Sequence, residues 1–100
     1  MNKMTIPEMT PHDRFFLMLA DYPLLFKFWD VEKKECDKEA LIDSLSVLSH
    51  GESIMAKFFM TVWFGDNRKN YEFDIVEAAS VLDLPQRRLI TLWMLDPFWP

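Results

Sequence analysis

Residues 49–64, SHGESIMAKFFMTVWF, set the terms on which this chain can fold. Past Gly51 the only polar positions are Glu52, Ser53, Lys57 and Thr61, spaced about one helical turn apart. They leave a narrow wet stripe on an otherwise apolar rod. A helix that is apolar on nearly every side must be surrounded by other elements, so the stretch reads as the central helix of a domain. Its start is marked by Ser49 and Glu52, the S-x-x-E capping box, in which each side chain accepts from the other end's free backbone N–H. Gly65 closes it, because glycine tolerates the left-handed conformation in which helices commonly stop. One competing arrangement stays open: TVWF and YEFDI are both strand-like, and GDN between them is turn chemistry, so residues 58–74 fit either a helix end with a loop or a hairpin. The capping box and the helix formers behind it favour the helix.

The flanking segments are also helical in pattern. Thr10 can cap a helix, Pro11 suits its first turn and Asp13 suits the positive end of its dipole. RFFLMLADY behind them is apolar on most faces. Pro23 breaks this pattern and opens a short PLLFKFW helix, and residues 30–37 read as a polar connection. Asp37 can cap a third helix, KEALIDSLSVLS, with Leu41, Ser44, Leu45 and Leu48 on one stripe that Ala40, Ile42 and Val47 broaden. Asp74 and Glu77 repeat the capping logic, Phe73 can staple against Ala78, and the helix they open runs through Leu82. Pro85 opens a last helix, and Pro97 stops it near Leu95. The expectation is an all-α single domain of five or six helices over residues 10–100, preceded by a flexible arm at residues 1–9.

Composition narrows the function. Half of the 100 residues are hydrophobic, with nine Phe, four Trp and two Tyr, a heavy load for one small interior. Part of it is expected at the surface, where contiguous apolar area marks a partner site, and self-association is the simplest cover. The net charge is −5. Neither half of the chain is basic, so no domain-wide field draws in phosphate. A single cysteine, Cys36, lies in the charged run DVEKKECDKEA and reads as an unreactive thiol in a reducing cytoplasm. No apolar run approaches the ~20 residues that span a bilayer. The N-terminus lacks the basic and apolar sequence of a signal peptide, so a cytoplasmic protein without a membrane is expected. His12 and His50 have no partner at ligand spacing, two glycines cannot build a phosphate loop, and SHGES lacks the turn a serine nucleophile needs. The chain is therefore expected to be no enzyme and to hold no cofactor and no metal.

Residues 77–93, EAASVLDLPQRRLITLW, carry the most specific pattern. Ala78 and Ala79 are small residues where two helices would cross, and Leu82, Leu84, Leu89 and Leu92 occupy four inward anchor positions. The stretch resembles the generic helix-turn-helix motif of bacterial transcription regulators, over residues 74–94. Asp83 stands where that motif usually has glycine, and tolerates left-handed angles. The resemblance implies a second helix offering Gln86, Arg87, Arg88 and Thr91 to base edges, with Arg68 and Lys69 on phosphates. Ile90 and Trp93 interrupt that polar face and look built to be covered.

Two readings follow. The first is a non-catalytic interaction or regulatory module working through apolar helical surface, as a homodimer or with another protein. Ile90, Trp93, Phe98 and Trp99 are its candidate interface residues. The second is a small DNA-binding regulator using Gln86, Arg87, Arg88, Thr91, Arg68 and Lys69.

Overall fold

The computed structural model describes residues 9–100; most of the arm expected at residues 1–9 lies outside them. The helices among these residues are α1 (Pro11–Leu19), α2 (Pro23–Phe26), α3 (Lys38–Ser44), α4 (His50–Phe64), α5 (Ile75–Val81) and α6 (Leu84–Leu95). A two-stranded ribbon, β1 (Trp29–Asp30) and β2 (Glu35–Cys36), lies between α2 and α3, and a single 3-10 turn at Lys69–Tyr71 precedes α5. The fold is all-α.

The central helix is α4. Ile54, Met55, Ala56, Phe58, Phe59, Met60 and Val62 are all buried, whereas Glu52, Ser53, Lys57 and Thr61 retain partial exposure. Ser49 and Glu52 form the reciprocal box at its start, with N···O distances of 3.0 and 3.1 Å. Gly65 ends it at φ +70°. The helix thus runs through TVWF, and the hairpin alternative for residues 58–74 is not adopted. The turn GDN caps a helix instead of pairing strands.

α1 lays Phe15 and Leu19, one helical turn apart, against this rod; both are fully buried. The Phe15 ring meets Trp63 at 5.0 Å, Trp29 at 5.5 Å, and Phe59 and Phe16 at 5.7 Å between centroids. Such edge and tilted contacts add to the area they remove from water. Thr10 caps α1 as expected, and Asp13 returns the bond to the Thr10 N–H.

Three local expectations differ from the structure. The helix at PLLFKFW stops at Phe26, and Trp29 turns inward on β1. Residues 30–37, though exposed apart from Cys36, are not an irregular connection: they carry a hairpin with Trp29 opposite Cys36 and Asp30 opposite Glu35. Lys34 adopts φ +54°, a conformation rare outside glycine, and no Gly or Asn marked the turn. The hairpin half-buries Cys36, and burial pushes its thiol up to about 12, so little thiolate exists at neutral pH. Finally, α3 ends at Ser44, whose hydroxyl donates to the Leu41 carbonyl. The chain then turns more tightly, which carries Val47 out of the stripe and into solvent.

The loop between α4 and α5 is held by side chains. Asn67 accepts from the Phe73 N–H and donates to the Phe73 carbonyl. The Asp66 carboxylate accepts from the Tyr71 hydroxyl and from Arg68 Nε. The two hydrogen bonds, Tyr71's first, hold the Asp66 carboxyl below its usual range. Burial, then the Asp66 contact, push the Tyr71 phenol up to about 12. A tyrosine whose folded value exceeds its unfolded value of about 10 contributes stability that is complete below pH 10 and lost as pH rises toward 12. The urea midpoint is therefore expected to fall between about pH 8 and about pH 11, and Tyr71→Phe should reduce that fall. An equal fall in the variant would contradict the assignment.

Candidate functional site: the α1–α6 groove

α6 is where sequence and structure diverge most usefully. Asp83 caps it through a reciprocal box with Gln86, each bond 3.1 Å, and Pro85 sits in its first turn. Leu82 and Asp83 are both extended, at φ −73° and −79°, so the two-residue turn uses no left-handed residue. Asp83 is a cap, where the motif resemblance placed it in a glycine-like turn. The helix pair is present, but α5 packs onto α4.

Ile90 is 3% exposed and Trp93 is half-buried, with its ring edge-on to Phe58 at 5.6 Å. Of the four anchors expected inside, Leu82 is buried and Leu89 partly so, but Leu84 is 56% and Leu92 60% exposed. Ala78 is buried and Ala79 is not. The helix departs from the motif: Ile90 and Trp93, which the motif would place outward, turn inward, Leu84 and Leu92, expected inside, face out, and Arg87, Arg88 and Thr91 stay exposed. The physical cause is ring packing. Phe58 offers an aromatic surface that Trp93 fills and a leucine would not.

The turned helix makes a groove with α1. Arg14, early in α1, donates to the Asp96 carboxylate at 3.0 Å and to the Asp96 carbonyl at 3.2 Å, beyond the end of α6. At the other end the groove is lined by Asp21, Tyr22, Asp83 and Gln86, so the two helices run antiparallel. The groove encloses about 790 Å³, with Leu17 and Met18 on one wall, Leu89 and Leu92 on the other, and Trp93 and Phe98 at its base. Arg88 and Asp21 stand on the rim. Burial, then the negative charges of Asp83 and Asp21, raise the Tyr22 phenol above its ordinary value.

The C-terminal segment docks on its own chain. Phe98 is buried beneath Arg14, whose guanidinium carbon lies 4.2 Å from the ring centroid, and Trp93 Nε1 donates to the Phe98 carbonyl at 2.9 Å. Trp99 stacks edge-on to Trp93 yet stays mostly exposed. Of the four candidate interface residues, Ile90 and Phe98 are thus covered by the chain itself, and Trp93 lies at the groove base. Only Trp99 offers a largely free face. On α1 and α6 the exposed leucines are Leu17, Leu84, Leu92 and Leu95; other exposed apolar side chains, Leu24, Val47 and Val76 among them, lie on other segments.

The candidate nucleic-acid residues are scattered in role. The Gln86 side chain is engaged in the cap, and Thr91 donates to the Arg87 carbonyl. Arg68 is paired with Asp66 at 2.6 Å. Arg87 and Arg88 are exposed, with Arg87 Nε directed at the Asp83 carbonyl, and Lys69 is exposed on its 3-10 turn.

The two histidines make structural contacts. His50 Nε2 lies 3.2 Å from Glu77 and joins the starts of α4 and α5, while Ser53 donates to the His50 backbone carbonyl, not to its ring. The His12 ring meets Trp63 edge-on. Among the described residues no group of three or more His, Cys, Asp or Glu side chains is placed to hold a metal ion, and no helix is long and apolar enough to cross a membrane. No family model, curated protein or solved structure matches the chain.

Proposed function

We propose that the protein is a non-catalytic interaction module that self-associates through the α1–α6 face. One observation carries the reading: Leu92 and Leu95 are 60% and 76% exposed on a helix whose other side is packed into the core. Large apolar side chains at helical spacing beside a groove lined by Leu17, Met18 and Leu89 form the kind of surface that a second apolar helix covers. The rim charges Asp21 and Arg88 would frame such a helix and fix its orientation, as polar rims do at protein interfaces.

The DNA-binding reading has less support. Its outward helix surface mixes Arg87 and Arg88 with Leu84, Leu92 and Leu95, and three of its six residues, Arg68, Gln86 and Arg87, are already engaged by Asp66 and Asp83. Phosphate contacts dominate affinity at low salt, so such a protein would bind random duplex DNA near about 50 mM salt and release it as salt rises. The interaction reading expects no such binding. It expects light scattering at micromolar concentration to give a mass above the 12.0 kDa of one chain. A clean monomer, or salt-dependent binding to duplex DNA, would sink it.

A further inference from the structure

We infer that two copies pair through antiparallel α6 helices on a two-fold axis at Leu92, with Arg88 of each copy meeting Asp96 of the other. The inference rests on the self-association proposed above and supplies its geometry. The starting point is a symmetry about Leu92 in the stripe formed by α6, with Leu89 half-buried in it, and its C-cap Asp96. Arg88 lies four residues before Leu92 and Asp96 four after it; Leu89 lies three before and Leu95 three after. Residues three and four apart share one helix face. Rotating such a stripe by 180° about Leu92 superposes position 88 on 96 and position 89 on 95. Arginine then faces aspartate twice, leucine faces leucine twice, and Leu92 faces its own copy at the centre. A two-fold interface demands this self-complementarity. A parallel arrangement would set Arg88 against Arg88 and Asp96 against Asp96.

The states of the Arg88 and Asp96 side chains suit this pairing. Arg88 is exposed and makes no hydrogen bond or ion pair among the described residues. The Asp96 side chain is 80% exposed and already meets Arg14 of its own chain on one oxygen. A carboxylate has lone pairs for two guanidinium partners, so a second copy's Arg88 adds to the Arg14 bridge without displacing it. Leu95, exposed beside Asp96, would settle over Leu89 of the partner, which lines the groove between α1 and α6.

The test is a charge exchange, read by sedimentation equilibrium on the full chain at low salt. Arg88→Glu sets carboxylate against Asp96 at both contacts, and Asp96→Lys sets cation against Arg88 at both. Exposed ion pairs contribute little singly, but each variant turns two attractions into two repulsions, so each dissociation constant is expected to rise about tenfold or more. An equimolar mixture of the two variants should recover wild-type affinity, since in the mixed dimer each contact again joins opposite charges. Asp96→Lys also removes the Arg14 bridge. Arg88→Glu alone therefore gives an independent reading: added salt should strengthen its dimer and weaken the wild-type one. If the wild type dimerises but the mixture stays as weak as its components and Arg88→Glu responds to salt as wild type does, the antiparallel pairing is wrong and the proposed face survives. If the wild type is monomeric throughout, both fall.

Discussion

Phe15→Ala is expected to lower the unfolding free energy by about 3–5 kcal/mol, the range for truncating a buried phenylalanine. Phe15 is fully buried, and its ring touches four other aromatic rings contributed by α1, β1 and α4. Those neighbours belong to three different elements, so they cannot all collapse into the space left behind. Cavity cost therefore adds to lost burial. For a domain of this size the melting temperature should fall by roughly 15–30 °C, a large part of typical total stability. Urea unfolding followed by circular dichroism checks this. A loss below about 1 kcal/mol would mean that Phe15 does not join these elements.

The second large effect separates two neighbours on α6. Ile90→Ala should cost about 2–4 kcal/mol, because Ile90 lies in the core. Leu92→Ala, two residues on, should leave monomer stability within about 0.5 kcal/mol, because Leu92 faces out. The order would reverse if α6 sat as the helix-turn-helix resemblance implies, with Leu92 inside. Urea midpoints measured at a concentration too low for association distinguish the two orientations directly.

That contrast also shows where the sequence stops being informative. The caps at Thr10, Asp37, Ser49 and Asp74 were legible because each depends on residues within one turn of the helix start. Asp83 and Gln86 carried the same signal, an acceptor followed three residues later by Gln, but the resemblance gave Asp83 to a turn instead. The central helix was legible because so few of its positions are polar. The orientation of α6 was not, because Leu84, Leu89, Ile90, Leu92, Trp93, Met94 and Leu95 are more apolar positions than one helix face can hold. Only the arrangement of Phe58 and its neighbours decides which of them go inside, and that is tertiary information. The β1–β2 hairpin escaped notice for a related reason. Its turn relies on Lys34 at positive φ, where a reader of sequence looks for glycine or asparagine.

The candidate site was half legible. An excess of aromatic and leucine side chains over what a small core can hold pointed to exposed apolar surface, and that surface exists. On α6 the fold covers Ile90 and half-buries Trp93, and leaves Leu92 and Leu95 exposed. The groove could not be anticipated at all, since it depends on Arg14 reaching Asp96 across the fold, between residues far apart in the chain.

Coverage of the α6 stripe by a second copy is tested most directly by one comparison. Sedimentation equilibrium is run on the wild type, on Leu92→Glu and on Val47→Glu, a control at a position 83% exposed and outside the groove. The expected result is a concentration-dependent dimer for the wild type and for Val47→Glu, and a monomer for Leu92→Glu with its helical spectrum intact. A Leu92→Glu protein that is folded and associates as tightly as the wild type would contradict that coverage.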